Sequence, residues 1–201
     1  MEKSEKVFKQ VESLYLVDSS RGMGKWMWNN HVQWVAGKAK KLAEKYATDV
    51  EKVYCAALLH DLADCQFERG DKDFDSWSEN KGKEILAEAG FTDDEIKEIL
   101  EVIVRPHSWR PENLPTTLEG KVLATADAMF HLQTSFFPIL CYKQRPEHTN
   151  SYEEWQKWFD EKIDRDFGPK IFFDDEKEEV RADYEALCRV FGNKTLDSAE
   201  V

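Results

Sequence analysis

Residues 54–64 read YCAALLHDLAD. This stretch is the most informative part of the sequence, because it places His60 and Asp61 side by side in an apolar run. On a helix, consecutive side chains project about 100° apart, so an imidazole and a carboxylate can share one ion near the helix surface. The alternative is structural: His60 would hydrogen-bond a neighbouring backbone group and Asp61 would cap or pair locally. Taken alone, the pair leaves both interpretations open.

Two further residues lie in comparable apolar surroundings. His31 falls on the first long predicted helix, and Asp127 is the one carboxylate in the run of residues 120–132. An ionised aspartate is costly to bury without a partner, and a metal ion would remove that cost. Two imidazoles and two carboxylates from three helices make a mixed nitrogen and oxygen site for one divalent ion, with positions open for water and substrate. These residue types suit Mn²⁺, Co²⁺, Ni²⁺, Fe²⁺, Zn²⁺ or Mg²⁺ and do not choose among them.

Apolar residues recur at helical spacing along most of the chain, and strand patterning is weak. The pattern predicts an all-α fold, a helical bundle of about seven or eight helices that forms a single domain over residues 1–201. The predicted helices are 4–16, 28–46, 50–64, 76–89, 93–105, 118–142, 152–166 and 174–191. Capping boxes and a terminal glycine support several of these boundaries: Ser76 with Glu79, Thr92 with Glu95, Ser151 with Glu154, and Gly90 as the end of a helix.

The net formal charge is −12, which argues against binding along an extended nucleic acid, since that requires a basic face. A small anionic substrate is compatible with the composition because a metal ion and a few local cations can dominate the field in a pocket. Residues 1–10 are charged, and no run approaches the roughly 20 apolar residues that span a bilayer, so we expect a cytoplasmic protein without membrane segments. The four cysteines are expected to be reduced thiols. The composition leaves an oligomer open.

The ordered set His31, His60 with Asp61, and Asp127 resembles the signature of the HD-domain superfamily of metal-dependent phosphohydrolases. The surrounding strings HVQWVAGKAKKLAEKY, YCAALLHDLAD and GKVLATADAM share this resemblance, which covers a core of about residues 28–132. The apolar and aromatic residues between Trp155 and Phe173 predict that helices in residues 150–192 pack on that core. The resemblance implies that the four signature residues hold one divalent metal and that the substrate is a small phosphate ester, such as a nucleotide or related metabolite.

The same resemblance assigns roles to residues near the His-Asp pair. Asp64 follows one turn later and is expected to act as general acid or base. His107 lies where many members have a histidine that borders the pocket, and Arg105 and Arg110 beside it are expected phosphate contacts. No histidine precedes Gly82, where two-metal members carry one, so the comparison favours a single ion.

Departures from the family narrow the activity. Asp64 is followed by Cys65 instead of a second acid, which argues against guanosine tetraphosphate hydrolysis. The chain lacks the additional histidine ligands of the HD-fold oxygenases. It also lacks the extended motif of the cyclic-dinucleotide phosphodiesterases. The alternative function is a non-catalytic HD module that binds a nucleotide or a partner and keeps a structural metal, and a third is a helical interaction domain without metal. The cations Lys157, Lys162, Arg165 and Lys170 could close over an anionic substrate, but the pattern favours an ordinary solvated helix face.

Overall fold

The computed structural model describes residues 2–17, 24–108, 113–143 and 151–191, and these residues form helices and no strand. The predicted all-α fold is therefore confirmed. Within the same residues, no helix is both long enough and apolar enough to cross a bilayer. The chain divides into two compact units, Met1–Ala126 and Asp127–Val201. The single-domain organisation stays a prediction.

The first unit contains five complete helices and the start of a sixth. Helix α1 is Lys3–Leu16, and α2 runs continuously through Gly24–Trp26, a π-helical stretch Met27–Val32, and Gln33–Lys45. Helix α3 is Val50–Leu59 and leads to a 3₁₀ turn, Leu62–Cys65. Helix α4 is Phe74–Ala89, and α5 is Asp93–Lys97 continued by a π-helical stretch, Glu98–Val104, and a 3₁₀ turn, Arg105–Ser108. Helix α6 is Leu118–Gln133, and the division between the units falls within it.

Helix α3 is the centre of the first unit and packs against α1, α2 and α5. Its residues Val53 and Cys55 to Leu59 are almost completely buried, and α1 faces it with Val7, Val11 and Tyr15, each 0% exposed. Burying one such aliphatic side chain contributes about 1.5–3 kcal/mol, so this apolar contact holds the unit together.

Side-chain caps explain where α3 and α5 begin. The Asp49 side chain accepts a hydrogen bond from Lys52 N at the start of α3, and the capping box of Thr92 and Glu95 at α5 is confirmed. Gly90 ends α4 with a φ of 98°, in the left-handed region that glycine enters without strain. The predicted start at Ser76 is wrong, because α4 begins at Phe74 and the Ser76 hydroxyl donates to the Asp73 carbonyl oxygen.

The predicted helix 50–64 is shorter than expected. Its α-helical part ends at Leu59, and Asp61 has φ −119° and ψ 30°. The Asp61 carbonyl oxygen accepts the Tyr15 hydroxyl at 2.6 Å and the Asp64 N–H at 3.0 Å. The bond from Asp64 closes a 3₁₀ turn, and the Tyr15 hydroxyl occupies the same carbonyl oxygen, so the α-helical hydrogen-bond ladder does not continue there.

The second unit contains the end of α6 and four further helices: α7, Phe136–Lys143; α8, Tyr152–Phe167; α9, Asp174–Glu179; and α10, Arg181–Phe191. The predicted helices 118–142 and 174–191 are each interrupted. Helix α6 ends near Thr134, whose hydroxyl donates to the Phe130 carbonyl oxygen at 2.7 Å. The capping box of Ser151 and Glu154 at α8 is confirmed. Helices α8 and α10 pack through aromatic rings, with the Phe159 and Phe191 centroids 5.3 Å apart.

Candidate metal centre

Three of the predicted ligands meet in the first unit. His31 Nε2 lies 2.8 Å from His60 Nε2 and 3.0 Å from Asp61 Oδ2, and His60 Nε2 lies 3.5 Å from the same oxygen. His31 and His60 are buried, and the Asp61 side chain is only 12% exposed. Two nitrogens and one oxygen therefore converge on one point away from bulk water.

These separations match those of ligands that share one ion. Metal bonds from histidine and carboxylate are about 2.0–2.2 Å long, so two ligands at right angles are about 3.0 Å apart and two at the tetrahedral angle about 3.4 Å. The three measured separations bracket these values. His31, His60 and Asp61 thus form a group that could hold a metal ion.

The protonation of His60 is fixed by its second nitrogen. Its Nδ1 lies 2.7 Å from the Ala57 carbonyl oxygen, which can only accept, so Nδ1 carries the hydrogen. In the neutral ring, Nε2 then presents a lone pair towards His31 and Asp61. A hydrogen bond from the distal nitrogen to a backbone carbonyl is a common way to orient a metal-binding imidazole.

His107 lies beside this group and is oriented in the same way. Its Nδ1 donates to the Val104 carbonyl oxygen at 2.5 Å, and its Nε2 faces Asp61 Oδ1 at 3.7 Å. The rings of His60 and His107 meet edge to face with centroids 5.1 Å apart. The predicted pocket-border histidine is therefore part of the cluster, although its role as a ligand or phosphate contact stays a prediction.

Asp61 is held through both its backbone and its side chain. Tyr15 donates to its carbonyl oxygen, and burial followed by the charges of Asp61 and Asp64 raises the pKa of Tyr15 well above its usual range, which keeps the hydroxyl protonated. Burial alone would raise the pKa of Asp61, but the charge of Arg69, followed by the neighbouring imidazoles, outweighs it and holds that pKa well below its usual range. Asp61 is therefore an ionised candidate ligand whose backbone and side chain are both held.

Asp64, the predicted general acid or base, is buried on the 3₁₀ turn next to this group. Its carboxylate accepts two bonds from Arg69, from Nε at 3.1 Å and from Nη2 at 2.6 Å. Burial, and then the neighbouring charge of Asp61, raises the pKa of Asp64 against the opposing effect of Arg69. Its proposed role in proton transfer stays a prediction.

The sequence reasoning missed Arg69. Its Nη2 also lies 2.8 Å from Asp61 Oδ2, so one guanidinium joins the two acids, while 65% of its side chain is exposed. Arg69 lies in a loop, where no periodic pattern of apolar residues shows which side chains face the site. The one signal in the sequence was that a cation follows Asp64 by five positions. Arg105, a predicted phosphate contact, pairs with Glu79 at 3.2 Å on the exposed side of α4. Arg110, the other predicted contact, lies outside the described residues.

Asp127, the fourth predicted ligand, lies in the second unit in a cluster of buried charges. Lys170 Nζ is 2.8 Å from Asp127 Oδ2, and His131 Nε2 is 3.4 Å from Asp127 Oδ1. The exposed fractions of Asp127, His131 and Lys170 are 4%, 7% and 3%. Its part in a metal site stays a prediction.

The cluster includes Lys162 on α8 and Lys170 after its end, so the prediction of a solvated face is wrong for two of the four cations. Lys162 bonds to Asp166 and lies 2.9 Å from His131 Nδ1, and burial lowers the pKa of Lys162 to about 8. Lys162 and Lys170 are buried because two buried aspartates pair with them. A signal for Lys170 was present: it is the one charge in the mainly apolar stretch of residues 167–173, as Asp127 is the one carboxylate in its own run.

Comparisons with known proteins place the fold and the family. A search of curated proteins found no match. Among solved structures, the chain is similar to a predicted HD superfamily hydrolase from an uncultured Thermotogales bacterium, with 17% sequence identity, a TM-score of 0.56, and coverage of 92% of this chain and 88% of that one. At this identity the likeness establishes the fold alone.

The family model for the HD domain matches residues 29–130. This range contains His31, His60, Asp61 and Asp127 in order. Since the match covers half of the chain, the chain belongs to the HD-domain superfamily.

Proposed function

We propose that the protein is a metal-dependent phosphohydrolase that acts on a small phosphate ester, namely a nucleotide or a related metabolite. The observation that carries this proposal is the convergence of His31 Nε2, His60 Nε2 and Asp61 Oδ2, with separations of 2.8–3.5 Å that suit one shared ion. The hydrogen bond from His60 Nδ1 to the Ala57 carbonyl oxygen supports it, because it leaves a lone pair on Nε2 that can bind an ion.

In this proposal Asp127 supplies the fourth ligand. Its support is the order of the family's motifs, together with the cost of burying a carboxylate. A bound divalent ion would supply a water of lowered pKa and would offset charge on the phosphoryl oxygens. The mixed ligand set is compatible with Mn²⁺, Co²⁺, Ni²⁺, Fe²⁺, Zn²⁺ or Mg²⁺.

Asp64 is the proposed residue for proton transfer. It lies on the 3₁₀ turn that directly follows Asp61 and is buried, so its carboxylate can hold a proton from the attacking water and release it to the leaving oxygen. His107 is proposed to border the bound phosphoryl group, because its Nε2 faces Asp61 without reaching it.

A non-catalytic HD module with a structural metal is the second candidate. One observation favours it: Arg69 binds both Asp61 and Asp64, and an acid held in an ion pair is a weaker proton acceptor. Such a module would bind the ion and lose stability on chelation without turning over any ester.

The test joins metal analysis to a substrate screen. Purified protein is analysed for bound metal and assayed with nucleotides and other phosphate esters in Mn²⁺, Co²⁺, Ni²⁺ or Mg²⁺. We expect phosphate release that Asp61→Ala abolishes together with metal binding, while Asp94→Ala, at an exposed aspartate of α5, retains both. Metal retention without turnover of any ester would support the structural module, and absence of bound metal would contradict both candidates.

A further inference from the structure

Arg69 has a position that the proposed reaction does not explain. Its guanidinium reaches Asp61 Oδ2 at 2.8 Å and Asp64 Oδ2 at 2.6 Å, although these two acids are almost completely buried. The Arg69 side chain is itself 65% exposed, whereas the side chains of Asp61 and Asp64 are 12% and 9% exposed. Arg69 therefore lies on the solvent side of the candidate metal centre and is in contact with its acidic groups.

The charge of this cluster changes sign when a divalent ion binds. The formal charges of ionised Asp61, ionised Asp64 and Arg69 give a net −1, and the charge of the proposed ligand Asp127 is offset by its partner Lys170 at 2.8 Å. An ion of charge +2 therefore brings the total to +1. A centre without the arginine would be neutral with the ion in place. Arg69 is thus the group that makes the loaded centre attractive to an anion in a chain whose net charge is −12.

The chemistry of the side chain suits a phosphoryl group. A guanidinium offers five N–H donors in a rigid plane and can bind two oxygens at once, as it does here with Asp64 through Nε and Nη2. A phosphate ester presents its oxygens with a similar spacing. Arg105, by contrast, pairs with Glu79 at a different, exposed place on the first unit.

We propose that Arg69 is the residue that binds the phosphoryl group of the substrate at the metal centre. This inference rests on the proposed function and deepens it, because it assigns an anion-binding residue that the family resemblance did not supply. Arg69 takes one phosphoryl oxygen pair from the solvent side, and it keeps its contact with Asp64 or Asp61 on the other. The corresponding substrate class is a phosphate monoester, whose terminal dianion is attracted to the net positive charge of the loaded centre.

The test measures the binding of inorganic phosphate to the metal-loaded protein by calorimetry, at an ion concentration that saturates each variant. We expect Arg69→Gln to weaken phosphate binding about 10- to 100-fold, the effect of losing a bidentate charged contact. Arg69→Lys keeps the charge but not the planar pair of N–H donors, so its phosphate affinity should lie between those of Arg69→Gln and the unchanged chain. Arg181→Gln removes the same charge from an exposed ion pair with Glu178 and should leave phosphate binding within about twofold.

Each remaining outcome has one meaning. Equal phosphate affinity in Arg69→Gln and the unchanged chain would overturn the role of Arg69 and leave the proposed function standing. Failure of Arg69→Gln to bind the ion at any concentration would assign Arg69 to positioning Asp61 and Asp64, and would also overturn the proposed role. If the unchanged, metal-loaded protein bound no phosphate and turned over no ester, the proposed function itself would fail, and this inference with it.

Discussion

Tyr15 and Asp61 are 46 positions apart, yet the hydroxyl of one holds the backbone carbonyl of the other at 2.6 Å. The bond sits at the point where α3 stops and its chain turns into the 3₁₀ segment. Tyr15, which is not itself a candidate ligand, therefore fixes the backbone of the candidate ligand Asp61.

Tyr15→Phe removes this hydroxyl and leaves a largely buried carbonyl oxygen with one partner fewer. We expect the free energy of unfolding to fall by about 1–2 kcal/mol, the usual cost of such a lost bond. Metal affinity should fall as well, because Asp61 is less firmly oriented. Urea denaturation and metal titration check the two effects, with Tyr54→Phe, at a half-buried tyrosine of α3, as the matched control. Equal loss of stability in both variants would contradict the role of the Tyr15 bond.

At the residue scale, the sequence identified side chains whose surroundings were unusual. His31, His60 and Asp61 were predicted from polar groups in apolar helices, and their convergence in the first unit agrees with that reasoning. Arg69 could not be predicted this way, since a cation in a polar loop is the ordinary case and only the folded loop brings it back to the acids.

Helices were predictable where a cap or a glycine marks the end. The capping boxes at Thr92 and Ser151 and the terminal Gly90 were confirmed. The early end of α3 depends on Tyr15 from another helix, so the local pattern of residues 50–64 carries no sign of it. Tertiary contacts decide such boundaries, and a single sequence does not display them.

Close packing between helices makes two glycines respond in opposite ways to the same change. A Cβ at Gly120, in the first turn of α6, would lie 3.2 Å from the Val102 carbonyl oxygen, whereas a Cβ at Gly37 in α2 would meet nothing within 4 Å. We expect Gly120→Ala to destabilise by about 1–3 kcal/mol through overpacking. Gly37→Ala should stabilise by up to about 1 kcal/mol, because alanine favours a helix interior. Thermal unfolding of both variants checks the opposite signs, and a shared sign would contradict the assigned packing.

Across the whole molecule, an acidic and largely polar chain buries several of its charges. The buried group of the second unit combines two lysines, two aspartates and a histidine. The sequence indicated burial of Asp127 and held a signal for Lys170. It could not predict burial of Lys162 and Asp166, because charged residues are normally exposed and their burial depends on the elements packed around them.

Lys162→Met tests the energetic role of this buried group. Removing Lys162 leaves Asp166, which is 0% exposed, without its closest cation. We expect the free energy of unfolding to fall by about 3–5 kcal/mol, as when one partner of a buried ion pair is lost. Lys157→Met on the same helix, where the side chain is 79% exposed, should change it by no more than about 0.5 kcal/mol. Similar values from the two variants in urea denaturation would refute the prediction.

Ion binding should also be visible as stability of the whole chain. An ion that binds only the folded state adds about 2.7 kcal/mol at 100 times its Kd, which corresponds to about 5–10 °C in Tm for a chain of this size. We expect chelation to lower Tm by that amount in the unchanged protein and to have little effect on Asp61→Ala. Differential scanning calorimetry checks this, and an equal response of both proteins would show that the stabilising ion binds elsewhere.

The two π-helical stretches, Met27–Val32 and Glu98–Val104, affect the directions in which the imidazoles of His31 and His107 project. A π turn is equivalent to a one-residue insertion that a helix has absorbed without breaking its ladder. His31 lies within one stretch, and His107 comes three residues after the other. Deleting one residue from either stretch would restore a regular helix and rotate the downstream residues by about 100°. The angular placement of both imidazoles thus depends on helix register. A one-residue deletion would turn an imidazole away from Asp61 although the histidine itself is unchanged.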